Sequence, residues 1–269
     1  MVLLSGLMVT RPASRPFVAD AIGDFARQTL RGPRELVVVH DGDAAFGRSL
    51  GQLATAHGVA AVVERAAPGQ ALGALRNRCV QLARGEFVAQ WDDDDRHHPR
   101  RLDLLVAALR RERAAAAFAT EQIHWFRASG VAYWEDWSGD AWPLDVVQGT
   151  LVARRAALPA YDPVPRGEDS RLALALARAG APVARVPDIG WSYVYAFHGG
   201  NAWDIAHHAL AAAHKRLSAA RFTARAAELA ARLREYDPPL PALAFPSGDG
   251  VFRAPLHASA GRKRRASTA

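Results

Sequence analysis

Between residues 3 and 91 the chain alternates two hydrophobic periods, and no other feature constrains its fold as tightly. Apolar runs of strand length fall at Leu3 to Val9, Leu36 to Val39, Val59 to Val63 and Phe87 to Trp91. Between them apolar residues recur at helical spacing. Phe17, Ala21, Ile22, Phe25 and Thr29 mark the first such stretch, opened by Pro16 and closed by Gly32-Pro33; Leu50 to His57 marks a second, and Leu72, Leu75, Cys79 and Leu82 a third. Strand, helix, strand in regular alternation predicts an α/β domain of Rossmann-like character, with a mainly parallel sheet flanked by helices. In such sheets ligands bind beyond the carboxyl ends of the strands, so the residues just after each run carry the functional information.

Those residues are polar and acidic. Thr10 and Arg11 follow the first run, His40, Asp41, Gly42 and Asp43 the second, and Asp92 to Asp95 the fourth. Four consecutive carboxylates repel one another, and at the end of a buried strand they call for a neutralising cation. Carboxylate oxygens suit Mg2+ or Mn2+, which keep coordination positions open for phosphate oxygens. The alternative for the acidic run is a solvated turn capping the helix that begins near Pro99.

The rest of the composition narrows the class. Cys79 is the single cysteine and lies among Leu75, Leu82 and Ala83, so an intrachain disulfide and a cysteine-based zinc site are excluded. No apolar stretch approaches the length of about 18 residues that a spanning helix needs, and the first residues lack the features of a signal peptide, so a cytoplasmic protein with no membrane span is expected. The net charge of +7 invites a nucleic-acid reading. Most arginines, however, are scattered along helical stretches such as Pro99 to Arg113 and Arg216 to Arg234, where a solvated helix face accounts for them. Only Arg262 to Arg265 form a tight basic run, and no specific nucleic-acid partner is expected.

The order of short motifs resembles that of the inverting family 2 glycosyltransferases of the GT-A fold. Val9-Thr10-Arg11, Gln28-Thr29, His40-Asp41-Gly42-Asp43, Leu75-Arg76-Asn77, Ala83-Arg84-Gly85-Glu86-Phe87, Trp91 with the aspartates, and Arg166-Gly167-Glu168-Asp169 before a helix follow one another as in that family. Asp43 stands where the family has serine, and His40 where it has aspartate.

The resemblance implies a nucleotide-diphosphate sugar donor, with UDP favoured, and Mn2+ or Mg2+ as cofactor. Asp41 would accept a hydrogen bond from the base, and Thr10 and Arg11 would line base and ribose. Arg76 and Asp93 would stand near the donor, support and capping being the alternative for Asp93. Asp94 would bind the ion, Asp92 would hold the ribose or the ion's water shell, and His198 in the segment Tyr193 to Trp203 would be a third metal ligand. Asp169 would be the general base, with Glu168 raising its pKa or binding the acceptor; an acidic first turn complementing the helix dipole is the alternative for this pair.

The implied organisation is a single GT-A type domain over residues 1–202, with a nucleotide-sugar half (1–95) and an acceptor half (96–202). A C-terminal helical extension (203–236) and a flexible basic tail (237–269) follow. Tyr133, Trp134, Trp137 and Trp142 are candidates for stacking on an acceptor, which is itself unidentified: a small molecule, a glycan or a peptide. The alanine- and arginine-rich helix has two alternatives, to pack back on the domain or to pair with another copy in a homodimer. Competing classes are a sugar-nucleotide pyrophosphorylase-like enzyme, which would need a glycine-rich basic loop after the first strand, and a non-enzymatic nucleotide- or nucleic-acid-binding protein.

Overall fold

The computed structural model describes residues 2–248 and 250–254. Its first elements are β1 (Leu4–Thr10), α1 (Arg15–Ala26), β2 (Arg34–His40), α2 (Ala44–Ala56), β3 (Ala60–Arg65), α3 (Leu72–Leu82) and β4 (Phe87–Gln90). The expected alternation is present. Helix α1 ends six residues before Gly32 because Gln28 and Thr29 turn away to bind a distant segment, described below. Helix α2 begins six residues before Leu50, since Asp43 caps it by accepting a hydrogen bond from the Phe46 amide at 2.7 Å.

Beyond the aspartates the chain continues through β5 (Arg96–His97), α4 (Arg101–Arg111), β6 (Ala116–Ala119), β7 (Glu121–Phe126) and β8 (Val131–Asp136). Next come β9 (Val152–Arg154), α5 (Glu168–Arg178), β10 (Val183–Val186), β11 (Tyr193–Phe197), α6 (Ile205–Lys215), α7 (Ala219–Leu233), β12 (Ala244–Ser247) and β13 (Gly250–Arg253). Two sheets result. The first has seven strands in the order β10-β6-β9-β4-β1-β2-β3 and is parallel except for β9, which runs antiparallel between β4 and β6. The second has six, in the order β13-β12-β8-β7-β11-β5.

Side chains of the central strands point alternately into two apolar layers, as the period of two requires. Leu4, Met8, Leu36 and Val38 face α1, α2 and α4, whereas Leu7, Val37 and Val39 face α3 and α5. Gly6 sits where a Cβ would fall 2.7 Å from the Phe25 ring, so α1 lies closer to β1 than any larger residue allows.

The second sheet lies outside the sequence expectation, as does the fate of residues 237–254. Instead of a flexible tail, β12 and β13 form a hairpin that adds to β8. Helix α7 packs Phe222, Leu229 and Leu233 into the first apolar layer. The basic run Arg262 to Arg265 lies outside the described residues. No helix among the described residues is long and apolar enough to cross a membrane.

Within the stretch Pro99 to Arg113 a solvated helix face does not account for Arg101, which is buried, and Arg96, just before that stretch, is buried as well. Arg96 donates to the Asp24 carboxylate at 2.8 and 3.1 Å, and Asp24 also accepts from the His97 amide at 2.9 Å, which anchors β5, just after the aspartates, to α1. Removing one partner of a buried pair strands the other charge. Asp24→Ala should therefore lower the unfolding free energy by about 3–5 kcal/mol in urea titrations; a loss below about 1 kcal/mol would show that Arg96 finds other partners.

Candidate functional site

Hydrogen-bond register brings the carboxyl ends of β1, β2 and β4 side by side: Thr10 pairs with His40, Leu7 with Gln90, and the Trp91 amide donates to the Leu7 carbonyl at 3.0 Å. Asp41 and Arg11 thus stand exposed on adjacent strand ends, with Asp92 to Asp95 on the other side of β1. His40 does not face the rim; it is buried against Phe46, and Gly47 leaves room for its ring.

The four aspartates diverge in role. Asp95 is buried, receiving a hydrogen bond from the Tyr193 hydroxyl and another from the Ala196 amide at 2.8 Å, so it fastens the loop to β11. Burial, reinforced by Asp94 and Asp92, pushes its carboxyl well above the usual range. Asp93 is buried near Thr10 and Ser14 and pushed up to about 7 by desolvation and by Asp94. The Thr10 and Ser14 hydroxyls pull the other way, although neither Thr10 Oγ1 nor Asp93 Oδ2 completes a hydrogen bond.

Asp92 and Asp94 are half-buried at the rim. Both Asp92 oxygens are already taken, Oδ1 by Arg76 at 2.8 Å and Oδ2 by Gln90 at 3.0 Å. Asp94 Oδ2 lies 3.0 Å from His198 Nε2. The loop that carries His198 is itself fixed: the Asn201 side chain accepts from the His198 amide at 2.9 Å, and Arg11 donates to the Gly200 carbonyl at 2.8 Å.

Arg76 is the joint of the site. Its Nε donates to Glu168 at 2.7 Å, opposite the arm that holds Asp92, so one guanidinium spans α3, the aspartate loop and the start of α5. Burial alone would loosen its proton, but Asp92 and Glu168 outweigh this and raise its pKa. The neighbouring motif residues frame it. Asn77 exchanges two hydrogen bonds of 2.8 Å with the backbone of Tyr161, and Gly73 allows the Asp162 carbonyl an approach that any Cβ would block.

Glu168 is buried, while Asp169 is half-buried one position further along α5. Desolvation and the Glu168 charge push Asp169 up to about 6, with Arg76 pulling it down. A carboxylate poised there can accept a proton near neutral pH.

Other motif residues hold the frame. Gln28 donates to the His98 carbonyl at 2.8 Å and accepts from the Leu102 amide at 3.0 Å, tying α1 to the start of α4. Arg84 pairs with Glu35 at the opposite end of the sheet from the rim. Trp134 is buried with its Nε1 donating to Glu121 at 2.8 Å, which removes it from the acceptor-stacking candidates; Tyr133, Trp137 and Trp142 are half-buried.

The sequence reading missed Arg101, Gln90 and Tyr193. Arg101 is fully buried behind the aspartates, donating to the Gln90 and Gly149 carbonyls at 3.0 and 2.9 Å and lying over the rings of Trp91 and Tyr193. Nothing in the spacing of an arginine-rich helix separates Arg101 from Arg100.

Among the described residues no group of three or more His, Cys, Asp or Glu side chains converges to hold a metal ion. Asp94 and His198 offer two donors, one hard oxygen and one imidazole nitrogen. That set fits a Mg2+ or Mn2+ ion whose remaining positions belong to phosphate oxygens and water.

The mainly parallel first sheet, with the acidic rim at its carboxyl edge and the acidic start of α5, gives an α/β fold of the GT-A type. Residues 8–133 match the family model for Glycosyl transferase family 2. No curated protein matches the chain. Among solved structures it is similar to S. aureus TarS 1–349 in complex with UDP-GlcNAc, at 16% identity and a TM-score of 0.58, covering 88% of this chain and 68% of that one. The complex of TarS 1–349 with UDP gives 15% identity and a TM-score of 0.56, covering 87% and 80%. The longer S. aureus TarS structure gives 15% and 0.54, and this chain covers 41% of it. These likenesses concern the fold.

The opposing effects of Glu168 and Arg76 on Asp169 give a test that needs no substrate. Carbon-13 NMR of the Asp169 carboxyl should show titration near pH 6 in the parent. Glu168→Gln removes a like charge and moves the midpoint down; Arg76→Gln removes a cation and moves it up. Midpoints unmoved by both changes would separate Asp169 from this network.

Proposed function

We propose that the chain transfers a sugar from a UDP-sugar to an acceptor hydroxyl, with inversion at the anomeric carbon and with Mn2+ or Mg2+ as cofactor. The observation that carries this reading is the double ion pair of Arg76, which draws the aspartate rim and the Glu168-Asp169 turn to one place. The TarS 1–349 complexes with UDP-GlcNAc and UDP support the choice of a uridine donor.

Asp41, exposed beside Arg11, accepts a hydrogen bond from the base, and Thr10 and Arg11 line the nucleoside. Asp92, held at both oxygens by Arg76 and Gln90, presents a fixed edge to the ribose rather than a free ligand to the metal. Asp93 supports the loop from beneath. Asp94 and His198 would hold the ion, which when bound stabilises negative charge on the departing diphosphate.

Asp169 takes the proton from the acceptor hydroxyl as its oxygen forms a bond to the anomeric carbon. The bond from that carbon to the donor's phosphate oxygen breaks on the opposite side, and UDP leaves with the electron pair. Because Asp169 is active only when ionised, turnover should rise as pH increases through about 6 and level off above it.

Two sets of variants test the roles separately. In calorimetry with Mn2+, Asp94→Ala should lose metal-dependent UDP binding while the fold survives, and Asp41→Ala should weaken UDP binding by about 1–3 kcal/mol, the cost of an unpaired polar group. Parent-like affinity in either variant would remove that assignment.

Asp169→Asn should lower turnover by a factor of about 10² to 10⁴ with UDP affinity unchanged. Near-normal turnover there, with collapse in Glu168→Gln, would transfer the base role to Glu168.

A further inference from the structure

Between the candidate base and the His198 loop lies a contact that no motif of the donor site explains. Arg166, two residues before Glu168, is exposed, and its guanidinium carbon lies 4.6 Å from the centre of the Trp203 ring. Trp203 is 39% exposed, an unusual setting for so large an apolar side chain. Its indole also stacks with the His207 ring, at 4.7 Å and 20° between planes.

A backbone turn and two side-chain tethers hold the contact in place. Gly167 takes a left-handed φ of 71°, which turns the chain between Arg166 and α5, and a Cβ there would touch the Trp203 ring at 4.0 Å. At its other end the Trp203 loop is tethered by Arg11 to Gly200 and by His198 to Asp94.

Arg166 pairs with no carboxylate and donates no hydrogen bond among the described residues, in contrast to Arg76, Arg96 and Arg225, which all do. A guanidinium laid against an indole loses little further freedom on binding, and its planar fork of N–H donors matches the oxygens of a phosphate or carboxylate. In the proposed reaction the donor's own diphosphate would be met elsewhere, by the ion that Asp94 and His198 would hold. Arg166 instead stands at the turn through Gly167 that leads into Glu168 and Asp169, three residues before the proposed base.

We infer that Arg166, braced by Trp203, recognises an anionic group on the acceptor, so that the hydroxyl compound glycosylated by this enzyme carries a phosphate or carboxylate close to the attacking oxygen. This rests on the transferase reading above and adds the acceptor class to it. Arg166→Gln removes the charge and the fork, Arg166→Lys keeps the charge alone, and Trp203→Ala removes the brace.

The test has a binding arm and a turnover arm. With UDP and Mn2+ present, the Trp203 indole N–H signal of the full chain should shift on titration with inorganic phosphate, glycerol 3-phosphate or glucuronate, and not with glycerol or glucose. Arg166→Gln should abolish the shift and Arg166→Lys should weaken it, with UDP affinity unchanged in both. In turnover with UDP-GlcNAc, kcat/KM for glycerol 3-phosphate should exceed that for glycerol by about tenfold or more, the worth of one charge-assisted contact. Arg166→Gln and Trp203→Ala should erase that preference.

A Trp203 signal that ignores all three anions overturns the proposal. So does loss of UDP affinity in Arg166→Gln, which would move the arginine to the donor site. An anion-dependent shift in a chain that binds no UDP would keep the anion site and overturn the transferase reading instead.

Discussion

One guanidinium, that of Arg76, holds together the three segments on which the site depends. It is buried, so its charge cannot be screened by water, and each of its two carboxylate partners belongs to a different part of the chain. Asp92 lies two residues past the end of β4 on the acidic rim, and Glu168 opens the helix that carries Asp169. A buried cation bonded to both fixes their separation more firmly than apolar packing would, because sliding either segment leaves a charge without a partner. The flanking residues serve the same joint: Asn77 grips the Tyr161 backbone, and Gly73 lets α3 approach that segment.

The acidic rim is a second consequence of the same arrangement. Adjacent carboxylates about 4 Å apart repel by a few kcal/mol even at an effective dielectric constant near 20. The fold meets this cost largely from its own residues. Arg76 neutralises Asp92, Arg101 lies buried behind the loop, burial pushes the Asp93 and Asp95 carboxyls up, and Tyr193 and the Ala196 amide bond Asp95. Asp94 is the exception. Among the described residues its carboxylate meets only the His198 side chain, which makes it, and not the aspartates as a group, the position proposed for an ion.

Much of this was legible in the sequence because it follows from local rules. The two hydrophobic periods give the strands and helices of the first sheet, and strand ends must lie at one edge, so Thr10, Asp41 and the aspartates could be placed on a common rim before any coordinates. What the sequence hid are the partners chosen across long separations. Arg101 looks like any arginine on an amphipathic helix, yet it is buried. Trp134 looks like a rim aromatic, yet β7 and β8 pair to make it part of the core. The second sheet was obscured because its strands are short and joined through β11, which is distant in sequence, and the hairpin of β12 and β13 because Pro238, Pro239, Pro241 and Pro246 make that region read as tail. Gln28 and Asn77 were recognised as motif residues, but their work is to bind backbone, which composition and spacing do not reveal.

In the proposed reaction Asp169 acts across the rim on a nucleophile that attacks opposite the departing UDP. Water can take the acceptor's place, so the stereochemistry can be read without identifying the acceptor. Proton NMR of UDP-GlcNAc hydrolysis, recorded before the free sugar equilibrates, reports the anomer first released. The β-anomer, with its large coupling between the first two ring protons, is the predicted product; the α-anomer appearing first would contradict a single displacement based on Asp169.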